Sequence, residues 1–388
     1  MYAWRITPEI SSDLERIEEL RRVLARGTLP RRWAGRLRRE LEAEATAAST
    51  SMEGVPVTVE EVRRILAGDR PSSVKEADAR LVEGYRDAMS FVLRRADDPG
   101  FSWQTELILG IHDRVMAGSY AFGAGRFRTG AAFVADAAAG LVVFEPPPAE
   151  AVPGLLQDLA AFAQSAGGDL PPPVLAALLH ARLAGIHPFS DGNGRTARVL
   201  ASLAMYRGGF TRPQFTSLEE WWGSHRRDYY DSFQCLGSSW DPDADVTPFV
   251  AAHVRAQRLQ VDSLSLKEAT ERVLWGILED VVTEDLGLPP RLADALYDGF
   301  FGRDVTNRYY RSLADVSVPT ATSDLGRLEA SGLLRAKGAG RSRAYTGSEQ
   351  LVEAVARAAE LGGPPPSMPL ETQRVWVMAG LAGKVHGG

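Results

Sequence analysis

The sequence HPFSDGNGRTAR at 187–198 gathers within twelve residues the side chains that phosphoryl or nucleotidyl transfer needs. Gly192, Asn193 and Gly194 stand where a helix is expected to begin, and glycines there let several backbone N–H groups converge as an anion nest. Arg195 and Arg198 lie three apart on one face of that helix, next to the nest. A helix N-terminus already carries a partial charge of about +0.5, so two further cations imply an anion, and arginine grips phosphate bidentately. Asp191 adds a hard oxygen ligand of the kind that holds Mg2+ or Mn2+ beside substrate phosphates. His187, after an apolar helix, is a natural general base for a hydroxyl nucleophile at neutral pH. Taken singly, such a histidine packs and an Asp-Gly-Asn-Gly run turns the chain. Together they read as base, metal ligand, nest and paired cations.

The elements that must position these groups read as mostly helical. Residues 9–50 carry apolar positions at Ile10, Leu14, Ile17, Leu20 and Leu24, then at Trp33, Leu37 and Leu41. Thr58 and Glu61 have the spacing of a capping box, with Gly68 and Pro71 closing the helix it opens. Residues 76–95 place Ala77, Leu81, Tyr85, Ala88 and Val92 on one stripe, and 102–117 continue the pattern. Short apolar runs at 131–134 and 141–144 flank a small-residue turn and predict a hairpin, which Pro146 and Pro148 end. Helices follow at 152–162, at 199–206 and, with Val174, Leu175, Leu178, Leu179, Leu183 and Ile186 in register, at 174–186. A change of pattern is expected near 260–270, with short helices beyond it.

The chain has 388 residues, 45% hydrophobic and 24% charged, enough for two or three domains. Its net charge of -6 argues against a protein that coats nucleic acid or anionic membrane as a whole. A single cysteine, Cys235, excludes an internal disulfide and suits a reducing compartment. No signal peptide and no apolar stretch of membrane-spanning length is visible, so a cytoplasmic protein without membrane contact is expected.

The segment 187–198 resembles the Fic signature, HxFx(D/E)GNGRxxR, at every defined position. The resemblance implies an enzyme moving AMP from ATP onto a Ser, Thr or Tyr hydroxyl of a target protein, the chain itself included. On that pattern His187 deprotonates the acceptor and Asp191 binds the metal. Asn193, with the amides of Gly192 and Gly194, holds the transferred phosphate, while Arg195 and Arg198 take the outer phosphates. Phe189 is the motif's buried aromatic. Gly125-Arg126-Phe127-Arg128 resembles the family's G-x-[FY]-R segment, and the hairpin before Pro146 resembles the flap that aligns a target by strand addition. Tyr229 and Tyr230 resemble a tyrosine pair expected near the adenine.

Ser49, Glu53 and Gly54 have the form [S/T]xxxE[G/N], which alone is an ordinary helix end but in this family is the inhibitory motif. On a helix Ser49 and Glu53 share a face, so Glu53 can pair with Arg198 in place of the ATP γ-phosphate. The N-terminal position implies inhibition in cis. Removal of AMP, or transfer of another phosphate-containing group, is the alternative on the same site.

Residues 305–346 read as two amphipathic helices, 307–313 and 320–330, then two strands around Gly338 and Gly340. That order resembles a winged helix-turn-helix. Thr320, Thr322, Ser323 and Arg327 are expected to face DNA, with Arg335, Lys337, Arg341 and Arg343 as a phosphate-contacting edge. Asp324 and Glu329 lower the positive field there. Protein docking or a homodimer is the other use of such a module, and a DNA-binding regulator with a nucleotide-sensing core is the alternative of another class. The expected fold is mainly α: a Fic-type helical core with a β-hairpin flap, plus a small C-terminal winged helix-turn-helix domain. The expected organisation is an N-terminal helical region at 1–98, a Fic core at 99–262, a winged helix at 263–350, and a linker and tail at 351–388.

Overall fold

The computed structural model describes residues 2–26, 31–117, 119–136, 141–212, 215, 218–340, 343–365 and 367–387, without the side chains of 25–38, 122, 136 and 387. The Trp33 and Leu37 side chains, the hairpin tip at 137–140 and Arg341 therefore lie outside the described residues. The chain forms two compact units, Met1–Ser263 and Leu264–Gly388.

The first unit opens with α1 (Pro8–Arg26), α2 (Arg31–Met52), α3 (Val59–Leu66), α4 (Glu76–Ala96) and α5 (Thr105–Val115). Both halves of the capping box are made at α3: Thr58 Oγ1 accepts from Glu61 N, and Glu61 Oε2 accepts from Thr58 N at 2.9 Å. On α4 the buried stripe is Ala79, Val82, Tyr85, Ala88 and Val92, while Ala77 is exposed and Leu81 half-buried. The stripe starts two residues later than expected because Ala79 and Val82 pack on Val62 and Ile65 of α3 in a satellite cluster.

β1 (Val134–Asp136) and β2 (Leu141–Phe144) then form an antiparallel hairpin, with Asp136 opposite Leu141 and a bulge between Val134 and Ala135. The first strand thus begins at the last residue of the expected apolar run, three residues after the start of that run. Phe133, Leu141, Val142 and Val143 are exposed, so the hairpin stands out from the core and is anchored in it at its base by Phe144 and Val134.

α6 (Val152–Ala166), α7 (Pro172–Ile186) and α8 (Asn193–Arg207) complete the centre of the unit. α7 is apolar on nearly every face, and Val174, Ala176, Ala177, Leu178, Leu179 and Leu183 are all buried. Such a helix belongs in the middle of a core. α7 and α8 pack on each other and are joined by residues 187–192, so the whole signature sits at one end of the most buried helix pair. α9 (Leu218–Ser224), α10 (Arg226–Asp231) and α11 (Thr247–Asp280) follow. α2 lies so close to α9 that a side chain on Gly223 would strike Ala48.

The expected change at 260–270 falls where the two units divide, yet it is not a break in the helix: α11 runs through it as one helix of 34 residues. No proline interrupts it beyond its second residue, so helix propensity carries across the change in what is buried, from Val250, Val254 and Val261 to Leu274 and Leu278.

The second unit contains α12 (Ala293–Phe300), β3 (Val305–Thr306), α13 (Asn307–Ala314), α14 (Val318–Ala330), β4 (Leu334–Lys337) and β5 (Ala344–Gly347). The strands form an antiparallel sheet in the order β3-β5-β4. α14 starts two residues earlier than the sequence suggests, because Ser317 caps it and Pro319 fits the first turn, where no N–H is needed. Residues 351–388 are not a linker and tail. α15 (Glu349–Ala358) and α16 (Leu370–Gly387) send Leu351, Val352, Val355, Val377 and Leu381 into the core of this unit.

Candidate active site

α7 ends because His187 adopts a left-handed conformation, φ 48° and ψ 57°, and Pro188 cannot continue the helix. A positive φ on a non-glycine residue is strained and persists only where the surroundings enforce it. Here Arg128 does so. Its Nε donates to His187 O at 2.8 Å, its backbone N to Pro188 O at 3.0 Å, Nη1 to Gly130 O at 2.9 Å, and Nη2 to Pro147 O. One buried guanidinium therefore ties the histidine turn to both flanks of the hairpin. The His187 imidazole is half-buried, and burial lowers its pKa below the ordinary 6.5, with Arg128 acting in the same sense.

The loop after His187 is closed by Asn193. Phe189 N donates to Asn193 Oδ1 at 2.9 Å, and Asn193 Nδ2 donates to Phe189 O at 2.8 Å. The side-chain amide expected on a phosphate is thus occupied within the loop. Gly192 takes φ +76°, which favours glycine, and a side chain there would strike Met116. Gly192 N donates to Asp191 Oδ1 at 2.6 Å, and α8 begins without a side-chain cap or any acid in its first turn. Its first N–H groups have no intrahelical partner and form the nest.

His112 organises this loop although no motif singled it out. Its ring stacks on Phe189 with centroids 3.6 Å apart, Nδ1 accepts from Gly125 N at 3.0 Å, and Nε2 lies 3.0 Å from Asp191 O. With Nδ1 an acceptor, Nε2 carries the proton. Burial pushes its pKa down to about 4, so the ring stays neutral. The only sequence signal is a histidine on the apolar stripe of α5, between Ile108, Ile111 and Val115.

The two arginines share a helix but not a destination. Arg195 is 2% exposed and reaches back over the loop to Asp191, 3.5 Å away, and to Val115 O. Arg198, equally buried, turns to α2. Its Nε donates to Ser49 Oγ at 3.0 Å, and Nη2 donates to Ser49 O at 3.1 Å and to Glu53 Oε1 at 2.9 Å. Burial opposes its charge, yet Tyr229, Glu53 and Tyr85 around it outweigh that cost and hold its pKa above the ordinary value. The Glu53 carboxylate also rests against Gly194, where any side chain would collide with it. The anion missing from the first turn of α8 therefore arrives from the end of α2.

Tyr229 is buried, and its hydroxyl accepts from Arg198 Nη1 at 3.2 Å; Tyr230 is exposed, and its hydroxyl donates to Met52 O at 3.2 Å. Asp191 keeps 60% of its side chain exposed. No group of three or more His, Cys, Asp or Glu that could hold a metal occurs among the described residues, so a cation here would need oxygens from a substrate as well.

In the second unit, Thr322, Ser323 and Arg327 are exposed and Thr320 is half-buried. The expected positive edge is largely spent. Lys337 pairs with Asp304, and Arg343 with Glu329 at 2.6 Å, leaving Arg335 exposed on β4. Asp324, expected beside the DNA face, is instead buried against Arg291 at 2.7 Å and the Tyr310 hydroxyl at 3.0 Å.

Residues 102–205, which hold the strained histidine, the loop after it and both buried arginines, match the model of the Fic/DOC family. The chain is 28% identical over 217 residues to the protein adenylyltransferase Fic of Nematostella vectensis, covering 55% of this chain and 47% of that protein. It is 34% identical over 144 residues to the protein adenylyltransferase fic-1 of Caenorhabditis elegans, covering 37% of this chain and 25% of that one. The chain thus spans less than half the length of these curated relatives. Among solved structures, a Fic family protein from Desulfovibrio desulfuricans G20 superposes with a TM-score of 0.59 at 21% identity, covering 90% of this chain and 98% of that one. Fic-1 from C. elegans (residues 134–508) gives 0.56 at 25% identity, covering 68% and 73%.

Proposed function

We propose that this chain is a protein adenylyltransferase, transferring AMP from ATP to a Ser, Thr or Tyr hydroxyl of a target protein, and that it holds itself inactive through Glu53. The observation that carries this reading is the Glu53 carboxylate on Arg198, lodged against Gly194 at the mouth of the nest. An enzyme that binds a triphosphate there must first lose that competitor.

In the active state His187 takes the proton of the acceptor hydroxyl at a ring nitrogen as its oxygen attacks the α-phosphorus. The bond to the β-phosphate oxygen breaks, and pyrophosphate leaves with the electron pair. The N–H groups at the start of α8 face the transferred phosphate, and Asn193 acts by holding the loop that presents them. Arg195 and Arg198 take the outer phosphates once Glu53 withdraws. The exposed Asp191 suits a Mg2+ or Mn2+ ion shared with substrate oxygens, which would supply neutralisation of phosphate charge. Tyr230, exposed beside the end of α2, is the better placed of the tyrosine pair to meet a base. The exposed edge of the hairpin suits strand addition by a target.

The test is incubation of wild type, Glu53→Gly and His187→Ala with α-labelled and γ-labelled ATP. Label on protein from the α position alone, dependent on His187, supports the reading; label from the γ position means phosphorylation and sinks it.

We read the second unit as a winged helix, on its helix and strand order. With Lys337 and Arg343 already paired, its surface suits protein docking, including a second copy of the chain, better than duplex DNA. A gel shift with genomic fragments that weakens as salt is raised would favour DNA instead.

A further inference from the structure

Beside Arg198 lies a cavity of about 20 Å³, walled by α7, α8, α9 and α11. His180, Trp222, Glu219 and His253 line it, each no more than 3% exposed. His180 Nδ1, Trp222 Nε1, Glu219 Oε2 and both ring nitrogens of His253 are buried there without a hydrogen-bond partner. Orphaned polar atoms are rare singly, and five around one cavity are not compatible with a dry one.

Their chemistry is complementary. An arginine can only donate, so the Tyr229 hydroxyl accepts from Arg198 Nη1 and must give its own proton to His180 Nε2, 3.1 Å away. His180 then carries its proton on Nδ1, the orphaned atom. Trp222 Nε1 is a second donor. Glu219 Oε1 already accepts from Tyr85 at 2.7 Å, which leaves Oε2 as an acceptor, and a neutral His253 supplies one more. Two donors and two acceptors around room for about one water match the four bonds that a water makes.

We propose that a buried water bound by His180, Trp222, Glu219 and His253 completes a mounting that, through Tyr229, holds the Arg198 guanidinium in position. The water site stands on this geometry alone; its consequence for nucleotide rests on the function proposed above. His180 and Tyr229 are then positioning residues, since neither His180 nor the water reaches the nest.

A crystal structure of the full chain at a resolution that resolves ordered waters is expected to show density within hydrogen-bond reach of at least three of the four residues. An empty cavity overturns the proposal. In a Glu53→Gly background, ATP binding measured by calorimetry is expected to weaken on the order of tenfold for His180→Leu, the effect of losing one bond around a charged group. His180→Gln, which keeps an acceptor for Tyr229, should restore most of it. Equal affinity of His180→Leu and its parent, with the thermal midpoint confirming that both are folded, overturns the mounting. If the Glu53→Gly parent itself binds no ATP, the functional reading fails while the water density still decides the site. Should His180→Leu not fold, that density decides alone.

Discussion

Glu53 Oε1 accepts a hydrogen bond from Arg198 Nη2 at 2.9 Å across 145 residues of sequence, and so joins the end of α2 to the first turns of α8. Asp191 meets only the N-cap amide of Gly192 and faces Arg195, and the first turn of α8 has no acid of its own. A helix N-terminus, a buried guanidinium and a nest of N–H groups all favour the same anion. A carboxylate and a phosphate are rivals for that place.

Glu53→Gly is therefore expected to raise transfer of label from α-labelled ATP on the order of tenfold to a hundredfold, the worth of one charge-assisted hydrogen bond. Initial rates at ATP concentrations well below saturation measure this. Equal rates for the two proteins would remove the brake from the account.

His187 must be neutral to accept a proton, and burial already favours its neutral form. Activity of Glu53→Gly should hence be flat at neutral pH and fall only on acidification, through a midpoint below 6.5. A pH profile of kcat with an acidic limb above pH 7 would point to a different base. His187→Ala should show no transfer at any pH.

Arg128 saturates three carbonyls around the histidine turn. Arg128→Ala leaves them without that donor and should destabilise the first unit by about 3 kcal/mol, read from urea unfolding. Arg128→Lys should recover little, because an ammonium cannot span the same fork. A fully stable Arg128→Ala would mean that the strained turn holds itself.

His253 provides a stability prediction with a definite sign. Its pKa is pushed down to about 3 in the fold by burial, against about 6.5 in the unfolded chain. A depressed histidine pKa stabilises the fold fully above pH 6.5, and that contribution is lost as pH falls from 6.5 toward 3. The loss is on the order of 5 kcal/mol at most. Unfolding free energies measured across that window should decline less steeply in His253→Phe. Parallel pH curves for the two would contradict this.

Much of the chemistry was legible in the linear sequence because it is local. His187, Asp191, Gly192, Gly194 and both arginines fall within one loop and the first two turns of one helix, where spacing alone dictates neighbours. The capping box at Thr58 and the apolar faces of α7 were readable for the same reason. Continuity of α11 through 260–270, and the helices after residue 349, were missed because short-range composition there resembles a boundary and a linker, while long-range burial decides otherwise.

What the sequence by itself determined was which residues could bind an anion. Which anion they hold was decided by the tertiary structure, since Glu53 reaches Arg198 only when α2 is packed against α9 and α8. The same folding sent Arg198 to Ser49 and Glu53, enlisted Arg128 to hold His187 in a conformation it would not adopt alone, and brought His112 against the loop that follows it. Those outcomes depend on contacts between residues far apart in sequence, which periodicity and spacing do not encode.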